Sequence, residues 1–252
     1  KSESLEAETK QDLILVSAEL LGYRQAQQEI KLYRFDSKLD IEFKEKLAET
    51  YKKIGRYEQS IAAWKGLLGR AIADSALAES SVEWLNQLLL TILASGVRTP
   101  IAKTIDFYLP KLRNVLSGNE KQFQALEKNI VRLILTVHRE GRKTDDPDIW
   151  KATDLLYTSY FKHFPDSQEG EIWYFGAQRQ ERLGRKWEAV KWYQRAAMIA
   201  KYENHRDSAL SVLRILKDIA DEKEAVKSHR DNEDASVQAT TIGDLIKAKM
   251  DS

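Results

Sequence analysis

The chain reads as an all-α protein built from antiparallel helix pairs, and three observations say so. Only four prolines and eleven glycines punctuate 252 residues. They fall between long segments with apolar residues at helical spacing, which leaves little room for strands. A tyrosine and a small residue also recur 34 residues apart, Tyr23 with Tyr57 and Ala26 with Ser60. Toward the end, residues 170 to 201 alternate large and small side chains at Trp173, Ala177, Gly184, Ala189, Tyr193 and Ala196, so that two helices can meet closely across a turn at Gly184.

Composition bounds the function classes. With 42% hydrophobic and 31% charged residues, the chain has enough apolar material for a continuous core and too much charge for a membrane protein. No run approaches the roughly 18 apolar residues of a membrane span, so no direct insertion is expected. The opening KSESLEAETKQ lacks an apolar signal core, and its first residue, Lys1 instead of Met, is what a processed or trimmed start looks like. Forty basic and 39 acidic residues leave a formal net charge of +1. Both signs are interleaved, so no long-range field draws in a polyanion and nucleic acid is not an expected partner. The absence of cysteine removes disulfides, thiolate metal sites and cysteine nucleophiles, and leaves the compartment open.

Element by element, a first helix is expected over 4 to 21, with Leu5, Leu13, Val16, Leu20 and Leu21 on one stripe and a stop at Gly22. The next begins at Tyr23. Residues 38 to 72 hold Leu47, Ala48, Tyr51, Gly55, Tyr57, Ser60 and Trp64, with Gly55 supplying the left-handed residue between two helices. Gly66 and Gly69 cost about 1 kcal/mol each in helix propensity, so they mark either close helix contact or fraying. From 73 the helical period continues to Gly96. Thr99 reads as a cap with Pro100 following, and Pro110 is expected to kink or split the next helix at Leu109. After Gly118 and Asn119, residues 120 to 140 place Phe123, Leu126, Ile130, Leu133, Ile134 and Val137 inward. EGRKTDDPD reads as a loop with Asp148 capping a helix that carries Trp150, Leu155, Leu156, Tyr157, Tyr160 and Phe161 and ends at Pro165. A helix over 204 to 220 has a polar outer face of Arg214, Lys217, Asp218 and Asp221, as a terminal cap needs. Residues 221 to 252 are charged and poor in apolar residues, the composition of a flexible tail. Within it Ile242, Leu245, Ile246 and Met250 form the stripe of a short docking helix at 241 to 250.

The recurring residues resemble the tetratricopeptide repeat (TPR), a 34-residue helix-turn-helix unit. The resemblance is clear at 7 to 72 and at 165 to 201 and fades between. It implies a right-handed superhelical solenoid of about five to six helix pairs over residues 1 to 220, with degenerate middle pairs. KHFPDSQEGEIWYFGA also resembles the junction between repeats in bacterial envelope proteins of the outer-membrane-assembly lipoprotein and Tol–Pal-associated kinds, which implies a periplasmic or envelope setting. Carried over onto this chain, the TPR groove positions are Glu42, Glu45, Glu49, Lys52 and Lys53, and then Glu171, Tyr174, Gln178, Glu181 and Arg182. Trp192 joins them, because it is turned about 100° from its packed neighbour Tyr193. Glutamates at 45 and 49 repel an acidic C-terminal tail, so a basic or mixed-charge protein or peptide is the expected partner.

Reactive residues offer little chemistry. His138, His163, His205 and His229 make no i, i+3 or i, i+4 pair. His138 reads as a cation near a helix end. Asp145, Asp146 and Asp148 crowd one loop without calcium-loop spacing, and phosphate-cradle and nucleophile-elbow motifs are missing. The sequence thus points to a non-catalytic scaffold or adaptor without cofactor or metal. The alternative is a peptide-sensing regulatory domain of a longer protein.

Overall fold

The computed structural model describes residues 12–32 and 36–250, the side chains of Ile30 and 228–250 excepted. Among the described residues it is helical without strands: α1 (12–20), α2 (Tyr23–Leu32), α3 (Ser37–Lys53), α4 (Tyr57–Ala73), α5 (Ala78–Ala94), α6 (Thr99–Val115), α7 (Glu120–Thr144), α8 (Pro147–His163), α9 (Gly170–Arg182), α10 (Lys186–Met198) and α11 (His205–Met250), with a 3-10 turn at Ser75–Leu77. The chain divides into two compact units, Lys1–Ser167 and Gln168–Ser252.

In the first unit α4 lies on α3 and α5, α5 on α6 and α7, and α8 on both α6 and α7. Surrounded in this way, α5 buries Val82, Trp84, Leu85, Leu88, Leu89 and Ile92. Pro110 neither splits nor ends α6. A proline costs an interior helix roughly 3 kcal/mol, and the burial of Ile101, Ile105, Tyr108, Leu109 and Leu112 along the same helix outweighs that. The residue before the helix is Arg98, not Thr99, and it makes no side-chain cap. Gly66 lies where an added Cβ would come within 2.6 Å of the Tyr23 hydroxyl, so it marks close contact with α2, whereas Gly69 faces open space.

Two further expectations fail for tertiary reasons. Residues 140 to 144, expected as loop, continue α7, which ends only at Asp145 in the left-handed region (φ 53°). Trp150 holds this end: Gly141 sits close beneath its ring, and its indole N–H donates to Asp145 Oδ1 at 2.9 Å. The cap of α8 is therefore Asp146, whose Oδ1 accepts the Asp148 N–H at 2.8 Å, and Asp148 itself lies inside the helix. In α1 the small pair Ser17 and Ala18 is buried, while Val16 and Leu20 of the expected stripe are exposed. The small side chains bring the end of α1 within reach of Arg56, which donates to the carbonyls of Ala18, Glu19 and Leu21 at 2.7, 3.0 and 3.1 Å. Leu5 lies outside the described residues.

The second unit is the α9–α10 hairpin with α11 laid on α10. Its core is Ala177, Ala189, Val190, Tyr193, Val212, Ile215 and Ile219. The helix expected over 204 to 220 continues to Met250. The residues beyond 221 contain no proline, and the run Glu222, Lys223, Glu224, Ala225 consists of good helix formers. The side chains of Ile242, Leu245, Ile246 and Met250 lie outside the described residues. The outer face of α11 is not wholly polar, since Leu210 and Leu213 are 56% and 65% exposed beside Arg214 and Lys217.

Candidate functional site

Both units contain one hairpin turn built the same way. Gly55 and Gly184 adopt φ of 77° and 71°, a region that favours glycine. In each, the glycine N–H donates to the carbonyl three residues back, and the following arginine N–H donates five residues back: Arg56 to Tyr51 at 2.8 Å, Arg185 to Gln180 at 2.9 Å. This satisfies the last carbonyls of α3 and α9. One turn on, the small residues Ser60 and Ala189 are fully buried, so the paired helices approach closely.

The α3 face carries the first set of expected groove residues. Glu42 and Lys53 are exposed, and Glu45, Glu49 and Lys52 are half-buried. Glu45 is held, since its Oε1 accepts the indole N–H of Trp84 from α5. Glu49 pairs with Lys46 at 3.1 Å. In the second unit Glu181 turns inward instead. Its Oε1 lies 2.7 Å from Arg214 of α11 and its Oε2 accepts the Tyr193 hydroxyl at 3.2 Å. The Tyr193 pKa is pushed up, first by burial and then by the Glu181 charge. Tyr174 packs edge-on against Tyr193 at 5.7 Å and tilts against Tyr202 at 6.0 Å. Trp192 rests edge-on against Trp173 at 6.4 Å. These two aromatics are half-buried members of a ring cluster, while Glu171 and Arg182 are exposed and Gln178 half-buried.

The tightest group of titratable side chains joins α6 to α8. Asp106 Oδ1 accepts from both the Ser159 hydroxyl and His163 Nε2 at 2.8 Å, with Lys162 at 3.7 Å. Burial pushes the Asp106 pKa up, but the hydrogen bonds from Ser159 and His163 and the positive neighbours outweigh it, leaving the carboxyl below its ordinary value. Serine and histidine share one carboxylate oxygen, so the Ser159 hydroxyl donates to Asp106 and not to the imidazole. The arrangement is therefore a strut between helices, unlike a nucleophile activated by imidazole. His138 is 2% exposed, with Nδ1 2.9 Å from the Tyr157 hydroxyl and its ring edge-on to Trp150 at 5.3 Å. It is a buried part of the α7–α8 contact, where the sequence suggested a charged helix end. Among the described residues no group of three or more His, Cys, Asp or Glu has metal-binding geometry, and no helix is long and apolar enough to cross a membrane.

No family model, curated protein or solved structure matches the chain. The likeness to TPR proteins therefore stays a resemblance read from the sequence.

Three residues that sequence reasoning passed over stand out. Arg56 holds the end of α1. Arg185 is exposed at the matching turn, and Trp187 is 52% exposed in the first turn of α10. The available signal was the Gly-Arg pair at both turns, and a tryptophan set among Arg185, Lys186 and Glu188 instead of among apolar residues.

Proposed function

We propose that the chain is a non-catalytic protein-binding scaffold or adaptor of the TPR kind, a superhelical stack of helix pairs working within a bacterial multiprotein assembly of the envelope or a motility system. The reading rests on one observation: two hairpins far apart in sequence close with the same glycine conformation and the same pair of turn hydrogen bonds. A repeated rigid hairpin presents side chains in fixed positions, so little receptor entropy is lost on binding. The α3 face is the first candidate contact surface. Glu45 is braced by Trp84, and Glu42, Glu49, Lys52 and Lys53 surround it with mixed charge. A basic or mixed peptide suits this face better than an acidic tail.

The test is an array of basic, mixed and acidic-tailed peptides probed with the native protein and with the double variant Glu42→Lys, Glu49→Lys. Basic peptides should be retained by the native chain and released by the variant. Retention that ignores peptide charge, or no retention at all, sinks the reading.

A further inference from the structure

We propose that the groove between the start of α10 and the middle of α11 is a docking site for a short segment of another protein that carries an apolar side chain flanked by carboxylates. The groove encloses about 690 Å³ and is lined by Arg185, Lys186, Trp187, Ile219, Lys223 and Val226, among others, a volume within the ordinary range for binding clefts. It uses none of the α3 or α9 residues invoked above, so it stands apart from the scaffold reading.

Its floor is apolar. Ile219 is buried in the unit core, and the exposed Trp187 and Val226 form the sides. A half-exposed tryptophan beside an exposed valine leaves apolar surface in water, and aromatic anchors of this kind dominate binding when a partner covers them. The rim decides the charge of that partner. Both lining carboxylates already have cations, Glu222 with Lys186 at 2.5 Å and Glu188 with Lys191 at 3.5 Å. Arg185 reaches only the neutral Gln180 at 3.5 Å, and Lys223 Nζ sits 5.9 Å from the centre of the Trp187 ring. Among the described residues neither has a carboxylate partner, so the residual charge around the apolar floor is positive. That combination selects an apolar side chain with acidic neighbours. A second copy would bring Arg185 and Lys223 against themselves across a two-fold axis, which like charge disfavours.

The experiment titrates the native protein with a labelled peptide in which Leu and Phe are flanked by aspartates, and with its lysine-flanked counterpart, following anisotropy and tryptophan emission. The aspartate peptide should bind about tenfold tighter or better, shift the tryptophan emission, and weaken as salt rises. Trp187→Ala should abolish binding, and Arg185→Glu with Lys223→Glu should reverse the preference toward the lysine peptide, while melting temperatures stay close to native. Glu42→Lys with Glu49→Lys should leave this binding unchanged, so failure here is separable from failure of the α3 reading. Equal binding of the two peptides, binding of neither at millimolar concentration, or self-association that Trp187→Ala removes would each overturn the proposal.

Discussion

The α3–α4 hairpin and the α9–α10 hairpin share a turn and differ in their neighbours. Each closes on a glycine at positive φ followed by arginine, and each buries a small residue one turn into the second helix. The helix that follows differs. After the first hairpin, α5 meets α4, α6 and α7 and buries residues around much of its circumference. After the second, α11 lies mainly on α10, burying Val212, Ile215 and Ile219 and leaving Leu210 and Leu213 in water. The lesson is that turn geometry is local and repeats with the local sequence, while burial depends on how many helices surround the one in question.

The largest effect should separate the two third helices. Leu88→Ala in α5 removes a fully buried side chain and should cost about 2–5 kcal/mol in urea unfolding. Leu213→Ala in α11 should change stability by no more than about 0.5 kcal/mol. A comparable loss at both positions would break the contrast.

The turns should behave alike. Gly55→Ala and Gly184→Ala each place a Cβ in a left-handed conformation with open space around it, so each should lose about 1–2 kcal/mol from backbone strain alone. Unequal losses would mean the two turns are not equivalent.

The arginines that follow sharpen the comparison. Arg56→Ala removes the guanidinium donor from the carbonyls of Ala18, Glu19 and Leu21, of which Leu21 keeps the Tyr51 hydroxyl, and should cost about 1–2 kcal/mol. Arg185→Ala loses one long contact to Gln180 and should be close to neutral in thermal unfolding. If both prove neutral, the Arg56 clamp contributes nothing.

The smallest effect should appear in acid and only in the first unit. Asp106 is held below its ordinary carboxylate pKa, so its contribution to stability is present above the unfolded-state value and is lost as pH falls through the lowered folded value. Asp106→Asn should flatten that part of the stability–pH curve, measured by denaturant titration at several pH values. An unchanged slope would remove Asp106 as its source.

Much of the helical architecture was legible. Gly55, Gly96, Gly118 and Gly184 all take positive φ at helix ends. Leu126, Ile130, Leu133, Ile134 and Val137 are buried as their spacing requires. What misled were features judged without their neighbours: Pro110 inside α6, the polar 140 to 144 run held by Trp150, and the inward side of α1. The candidate surface was less legible still. The sequence offers Glu181 and Tyr174 as contacts for a visitor, and in the structure each also has partners within its own unit. Trp192 is half-buried against Trp173, and Trp187 is the more exposed of the two α10 tryptophans.

The sequence by itself determined that the chain is helical, where most helices stop, and that two hairpins share a turn, because glycine conformation and helix periodicity act over a few residues. Only the tertiary structure decided which of two chemically similar tryptophans meets water, which glutamate is already paired, and which helix is covered on more than one side. Those outcomes depend on residues distant in the chain, whose approach no local pattern encodes.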